Sequence, residues 1–414
     1  MTFRLGVIGA GQFSRDFLPL WLAHPEVDQV VVADRHEDRR AEFAARFGVT
    51  TLPDAEALLG SGVDAVAVFA QRHLHGPLAI AALEAGKHVF SAVPMASSVE
   101  EVRRIVELVA ETRLVYSMGE TCHYYPGALF CRRETARGTF GDVVYAESQY
   151  VHDMRHGFAD AFRFSAGEDW RRVGGFPPMY YSTHTVEPVL AATGARVESV
   201  VAFGVVDGDP DGAFRPEVNL WGNAFSNEVA LHRLSNGAVH RVVEFRHVGL
   251  RRPGTHIGQF IGTEAAYEFA FSSHYLHRVV APEGRMAVDD VSTMLNAPDV
   301  EAARVSPGFE DGVANARWEQ GLPSPILDTT SLPPTLRGVA TTHRGTPPFL
   351  VDDFARAVVS GELPPVHAWL AARSTLPGLL SHASAREGGR VLEVPDPGEP
   401  PDDWRRASER GFTG

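Results

Sequence analysis

Short apolar runs alternate with amphipathic stretches over the first 120 residues. Strand-like runs occupy Phe3–Ile8, Gln29–Ala33, Ala65–Phe69, His88–Ser91 and Leu114–Ser117. Between them, Arg39–Phe47, Pro77–Ala85 and Val99–Glu111 carry apolar residues at helical spacing. This alternation predicts a parallel sheet covered on both faces. The pattern changes after about residue 125. A helix is expected over Pro126–Arg137, followed by alternating strands at Val143–Tyr150, Val197–Val206, Glu228–Leu234, Val239–Phe245 and Ile257–Ile261. These predict a mostly antiparallel sheet with one face on helices. Pro348–Val358 and Ala368–Ala385 read as helices that pack back on the body.

The fold class is therefore α/β, with a parallel-sheet domain over residues 1–122 and an α+β domain over 123–395 built on a large, open, mostly antiparallel sheet. Residues 286–347 are rich in Pro, Ser, Thr and Gly and are expected to form an irregular excursion, a lid or an interface segment. The polar stretch 396–414 reads as a tail, poorly ordered or reaching a partner subunit. No internal repeat is found.

Composition narrows the function classes. The 414 residues hold 44% hydrophobic and 22% charged positions, which suits a large core. Net charge is −14, from 38 basic and 52 acidic residues. Nucleic-acid binding needs clustered Lys and Arg, so no nucleic-acid partner is expected. No apolar run is long enough for a membrane span, so no membrane partner is expected either. The first strand begins almost at once, with no secretory pattern before it. Two cysteines, Cys122 and Cys131, make neither a disulfide framework nor a zinc pattern. A reducing, cytoplasmic setting and no metal site are the matching expectations.

The strongest local motif is Gly6-Val7-Ile8-Gly9-Ala10-Gly11-Gln12-Phe13-Ser14. A strand precedes it and a helix follows. Gly9 permits a tight turn, and Gly11 lets backbone approach a pyrophosphate at the helix N-terminus. The next strand ends in Asp34, about 20 residues further on, where an acid accepts hydrogen bonds from the adenosine ribose. Together these predict a Rossmann dinucleotide site with NAD as cofactor. Gln12, Phe13 and Arg35 flank it, and Arg35 softens the preference for NAD over NADP.

Several segments together resemble the Gfo/Idh/MocA oxidoreductase family. They are His75-Gly76-Pro77-Leu78-Ala79, Ala82 to Val89, Gly262-Thr263-Glu264 and Phe354-Ala355-Arg356-Ala357. The resemblance implies a Rossmann domain followed by a sheet domain that often forms the oligomer interface, hence a homo-oligomer, dimer or tetramer. Sugar dehydrogenases of the family carry Glu-Lys-Pro where this chain has Ala92-Val93-Pro94. Val93 cannot hold or move a proton, so the usual lysine is missing. A Val-Pro segment is found in the family's NAD-dependent glycoside hydrolases, typified by bacterial α-N-acetylgalactosaminidases. Three further segments resemble that branch: Met118-Gly119-Glu120, Glu147 to Arg155, and Tyr181-Ser182-Thr183-His184 after Gly174-Gly175.

That branch oxidises the sugar at C3, removes the C2 proton, expels the C1 substituent, adds water and returns the hydride. The resemblance implies a small-molecule carbohydrate as partner and assigns roles. His184 handles the C3 hydroxyl proton, as an imidazole near its native pKa can. Tyr150, with its pKa lowered by nearby cations, is the C2 base, and Tyr181 supports it. Glu120 contacts the nicotinamide ribose; His75, Trp170 and Arg171 line the cofactor site. Pro94, His152 and Arg155 are expected on the substrate side. Two other readings remain open at this point: an ordinary NAD-dependent sugar or polyol dehydrogenase using His184, and a non-catalytic NAD-binding regulatory subunit.

Overall fold

A computed structural model describes residues 1–209, 212–249, 254–270, 273–280, 284–298, 301, 323–337, 339 and 341–407. The first sheet has six strands: β1 (Phe3–Ile8), β2 (Val27–Ala33), β3 (Thr50–Leu52), β4 (Ala65–Val68), β5 (His88–Ser91) and β6 (Tyr116–Met118). Their order is β3-β2-β1-β4-β5-β6, and every pairing is parallel. The order reverses between β1 and β4, which opens a crevice at the strands' carboxyl ends. Helices α1 (Gln12–Ala23), α2 (Glu37–Phe47), α3 (Ala55–Leu59), α4 (His75–Glu84) and α5 (Val99–Thr112) connect them. Each central strand is buried along nearly its whole length, the consequence of helices on both faces. Phe17, Trp21, Phe90 and Phe354 interlock between sheet and helices.

α6 (Pro126–Ala136) leads into the second sheet, whose strands are β7 (Val143–Val151), β8 (Val197–Val206), β9 (Phe225–Leu234), β10 (Val239–Phe245), β11 (Gly254–Gly262), β12 (Ala265–Ala270), β13 (Ser273–Val280), β14 (Arg285–Asp290) and β15 (Leu392–Glu393). The order is β14-β13-β12-β11-β7-β10-β9-β8-β15. All pairings are antiparallel except β7 with β10. Before β8 the chain forms α7 (Ala159–Ala166), α8 (Trp170–Gly174) and α9 (Thr183–Thr193). Alternation sorts the two faces. Ala146, Ser148 and Tyr150 of β7 are buried on the face that carries α9, as are Ala230, Val242 and Glu244 on the neighbouring strands. On the opposite face the register aligns Phe203, Leu231, Val239, Val279, Met286 and Val288, all exposed.

Two stretches differ from expectation. Arg285–Asp290 is a regular edge strand and not the start of an irregular excursion. Residues 299–300, 302–322, 338 and 340 of that stretch lie outside the described residues. The tail segment up to Ala407 returns to the body. Trp404 is buried against Trp369, its Nε1 donates to Gly361 O at 2.9 Å, and Leu363 pairs with Arg406. One indole anchor in a polar stretch leaves little periodic signal. Among the described residues, no helix is long and apolar enough to cross a membrane.

Candidate active site

The turn between β1 and α1 is shaped to receive a dinucleotide. Gly9 has φ +103°, and a Cβ there would stand 2.8 Å from Phe69 O. A Cβ on Gly11 would meet nothing within 4 Å, so space lies open above the turn. No side chain caps α1 and its first turn carries no acid, which leaves its amides and positive dipole end available to a pyrophosphate. Asp34 braces the turn: Oδ2 accepts from Ala10 N and Oδ1 from His36 N, both at 2.8 Å. Each carboxylate oxygen keeps a further lone pair for a ribose hydroxyl. Gln12 and Arg35 are exposed beside it. The Asp34→Asn variant keeps an acceptor for the turn but loses the charge that repels a 2′-phosphate. Its NAD-over-NADP affinity ratio is expected to fall by at least about tenfold in a fluorescence titration.

Two residues expected at the cofactor are internal supports. Phe13 packs on Phe17, Phe69 and His343, with ring centroids 4.9–5.6 Å away. His75 is buried, with Nδ1 2.9 Å from Pro94 O and Nε2 3.0 Å from Ala70 O. Burial holds its pKa down to about 4, so the neutral ring donates to one of the two carbonyls. The ring lies between the chain just after β4 and the buried Val93-Pro94 segment, whose peptide bond is cis. The ring contacts of Trp170 are with Arg163 and Arg171, not with the cluster around His184.

That cluster forms where the last Rossmann strand meets the second sheet. Glu120 follows β6 and is fully buried. Its Oε1 accepts from Cys122 N at 2.9 Å and contacts His184 Nδ1 at 2.5 Å. Burial pushes the Glu120 carboxyl up, but the charge and hydrogen bond of His184 outweigh it and hold the group below its ordinary value. Among the described residues its Oε2 is buried with no hydrogen-bond partner, an acceptor of the kind a ribose hydroxyl fits. His184 is the second residue of α9. Three residues on, Glu187 Oε1 contacts His123 Nδ1 at 2.5 Å, and His123 is itself three residues after Glu120. Two acid–histidine pairs of opposite sense thus rivet the turn at Thr121–Tyr124 to α9 and fix the direction of the His184 ring.

Tyr150 reaches the same place from β7. Its ring lies 5.1 Å from His184 and 5.7 Å from Tyr181, and Tyr181 lies 4.9 Å from His184. The Tyr150 hydroxyl is 2.8 Å from His152 Nδ1, and the His152 ring stacks on Phe158 at 4.5 Å. The structure therefore brings Glu120, Tyr150, His152, Tyr181 and His184 together. It differs on one point of chemistry. Burial, and next the Tyr181 phenol, push the Tyr150 phenol well up; the Arg246 and Arg72 guanidiniums pull it down by less. The expected lowering fails because the ring sits in the core, where phenolate is poorly solvated.

Arg155 stands apart from the cluster. Its guanidinium is committed to Asp153, Nε and Nη2 each at 2.8 Å, and to Val248 O. Burial raises the Asp153 carboxyl, but the Arg155 side chain and the amides of Val248 and Arg155 outweigh it and hold it well below the usual carboxylate range.

Sequence reading missed several residues of this region. The residues Glu120-x-x-His123 and His184-x-x-Glu187 were a legible pair of signals once read against each other. His343 was hidden in the Pro- and Gly-rich stretch. It packs on Phe13, its backbone φ is +52°, and burial, then the nearby His184, hold its pKa down to about 4. Glu120, Cys122 and His184 also bring three metal-ligand atom types within 4.8 Å of one another. Burial and the adjacent Glu120 keep Cys122 a neutral thiol, and the other two groups hold each other.

Comparison with known proteins gives this geometry a context. Residues 3–120 match the model of the Gfo/Idh/MocA oxidoreductase family, NAD-binding Rossmann fold. The chain is 25% identical over 417 residues to a glycosyl hydrolase family 109 protein of Streptomyces niveus, spanning 95% of this chain and 77% of the relative. It is 34% identical over 133 residues to an α-N-acetylgalactosaminidase of Bacteroides fragilis, spanning 31% of each. Levoglucosan dehydrogenase in complex with NADH and levoglucosan superimposes with a TM-score of 0.72 at 19% identity, over 95% of this chain and 100% of that one. An oxidoreductase domain protein from Kribbella flavida does so with a TM-score of 0.72 at 21% identity, over 95% and 100%. Residues 3–120 thus carry the NAD-binding Rossmann domain of the Gfo/Idh/MocA oxidoreductases, and the chain is an NAD-dependent enzyme similar in sequence to glycosyl hydrolase family 109 proteins.

Proposed function

We propose that the protein cleaves glycosides by transient oxidation of the sugar at C3, with no net redox change. The observation that carries this reading is the pairing of a valine at position 93 with a histidine–tyrosine cluster: the protons must be moved by imidazole and phenol groups. The relatives named glycosyl hydrolase family 109 and α-N-acetylgalactosaminidase support it further.

Gly9, Gly11 and the α1 N-terminus would hold the pyrophosphate of NAD, and Asp34 and Glu120 its two riboses. Bound there, NAD⁺ would supply a hydride acceptor for C3 and the matching donor for its reduction. His184 donates from Nδ1 to Glu120, so its Nε2 lone pair takes the proton of the C3 hydroxyl. The buried carboxylate stabilises the imidazolium that results. Tyr150 takes the C2 proton at its hydroxyl oxygen while its own proton passes to His152 Nδ1 at 2.8 Å. This relay avoids a free phenolate, which burial disfavours. The C2 electron pair then forms the C1–C2 double bond and the C1 substituent leaves; water adds at C1 and the proton returns to C2, which regenerates a saturated 3-keto sugar for reduction. Tyr181, whose ring meets those of both Tyr150 and His184, orients the sugar. Association of copies through the exposed apolar face of the second sheet belongs to the same reading.

Incubation of the NAD-loaded enzyme with aryl hexosides should release the phenol with no stoichiometric NADH. In D₂O, deuterium should appear at C2 of the sugar product. Stoichiometric NADH without cleavage or C2 exchange would instead make the protein an ordinary sugar dehydrogenase.

A further inference from the structure

The chain after β4 places Arg72 on the Tyr181 side of the cluster, at a narrow pocket lined also by Met154, Phe158, Phe162, Phe176 and Arg246. Its guanidinium lies 4.5 Å from the Tyr181 ring centroid, 4.8 Å from Phe162, 5.0 Å from Phe158 and 6.0 Å from Phe176. Among the described residues it forms no ion pair and no side-chain hydrogen bond. Its N–H donors are thus left to solvent or to a ligand. Aromatic faces offset part of its desolvation but satisfy none of those donors. Arg246, the other cation of the pocket, is a contrast. It is held by Glu244 at 2.7 Å and by the carbonyls of Phe245 and Tyr150 at 2.9 and 3.3 Å. Arg246 is structural, and Arg72 is uncommitted. Among the described residues, no acidic side chain lines this pocket.

We propose that Arg72 is a specificity-determining residue that binds an anionic oxygen group, a carboxylate or phosphate ester, carried by the glycoside. This deepens the carbohydrate reading and rests on it. A planar fork walled by rings presents its donors edge-on, the geometry of bidentate carboxylate or phosphate recognition. Sharing the Tyr181 ring with the catalytic cluster keeps the anion within one sugar's reach of His184.

The test is calorimetric binding to NAD-loaded protein, independent of turnover. Ligands are the methyl glycosides of glucose and galactose, of their uronic acids and of their 6-phosphates. An anionic series should bind at least tenfold more tightly than the neutral one, and the uronate and phosphate arms show which anion is read. In Arg72→Gln the ratio should fall to about one; in Arg72→Lys it should fall partway, since the charge remains and the fork is lost. Circular dichroism checks the fold of both variants. Equal affinity for neutral and anionic glycosides overturns the proposal, as does a preference that Arg72→Gln leaves intact. A parallel loss of NAD affinity in Arg72→Gln assigns the guanidinium to the cofactor and also overturns it. Glycosides that bind without cleavage or C2 exchange sink the proposed chemistry alone, whereas binding of none sinks both.

Discussion

Replacing His184 with alanine should lower turnover by about 10²–10⁴-fold while leaving NAD affinity within a few-fold of the wild type. In the proposed reaction this ring accepts a hydroxyl proton, and of the groups proposed to hold the dinucleotide only Glu120 touches it. The variant also strips Glu120 of its partner, and an unpaired buried carboxylate is costly. A thermal melt must therefore accompany the kinetics. The Glu120→Gln variant separates the two effects, because the amide keeps the shape and can still accept from His184 Nδ1. It removes the negative charge that stabilises imidazolium. Turnover should fall by about 10-fold or more, with the acidic limb of the pH–rate profile shifted to lower pH. Full activity in His184→Ala would remove this residue from the mechanism.

The parts of this machinery that announce themselves in sequence do so for physical reasons. The turn at Gly9–Gly11 needs glycine because backbone from Phe69 stands where a side chain would begin. Asp34 follows a four-residue apolar run, so a carboxylate at the end of a buried strand was conspicuous. Strands β1, β4, β5, β8 and β10 fall close to their expected bounds because their apolar runs or alternation are uninterrupted. Glu120, Tyr150, Tyr181 and His184 were grouped by resemblance, and their meeting needed the fold. Nothing local in β7 says that Tyr150 lies on the face that carries α9. The α9 helix itself gave little periodic signal, since it is buried almost all round and carries Pro188. Arg72 gave none at all, because an arginine without an acid partner looks like any surface arginine until the four rings around it are seen. The lowered pKa expected of Tyr150 failed for the complementary reason: sequence shows which cations are present, not how deeply the ring is buried.

Histidine burial predicts a pronounced acid lability. Desolvation depresses His75 and His343 to about 4 and His232, His274 and His367 to about 3, and lowers His240 in the same direction. These rings are neutral in the folded protein and charge freely once unfolded, near their ordinary value of about 6.5. The unfolded chain then binds more protons than the folded one, so stability is full above about pH 6.5 and is lost as pH falls. Two carboxyls work the other way. Burial raises Glu244 to about 8 and Asp353 to about 6, so the folded state holds protons there that the unfolded state has released. Six histidines against two acids leave a net uptake on unfolding of roughly three to four protons near pH 5.5. That corresponds to about 4–5 kcal/mol of stability per pH unit. A domain stability of about 5–15 kcal/mol is then exhausted within about one to three units, with unfolding centred near pH 4–5. Urea titrations at pH 7.5, 6.5 and 5.5 should give steeply falling unfolding free energies, and the His232→Gln variant should flatten the slope by close to one proton. Stability that stays level between pH 7 and pH 5 would mean that these rings are already protonated in the folded core, or that unfolding leaves them buried.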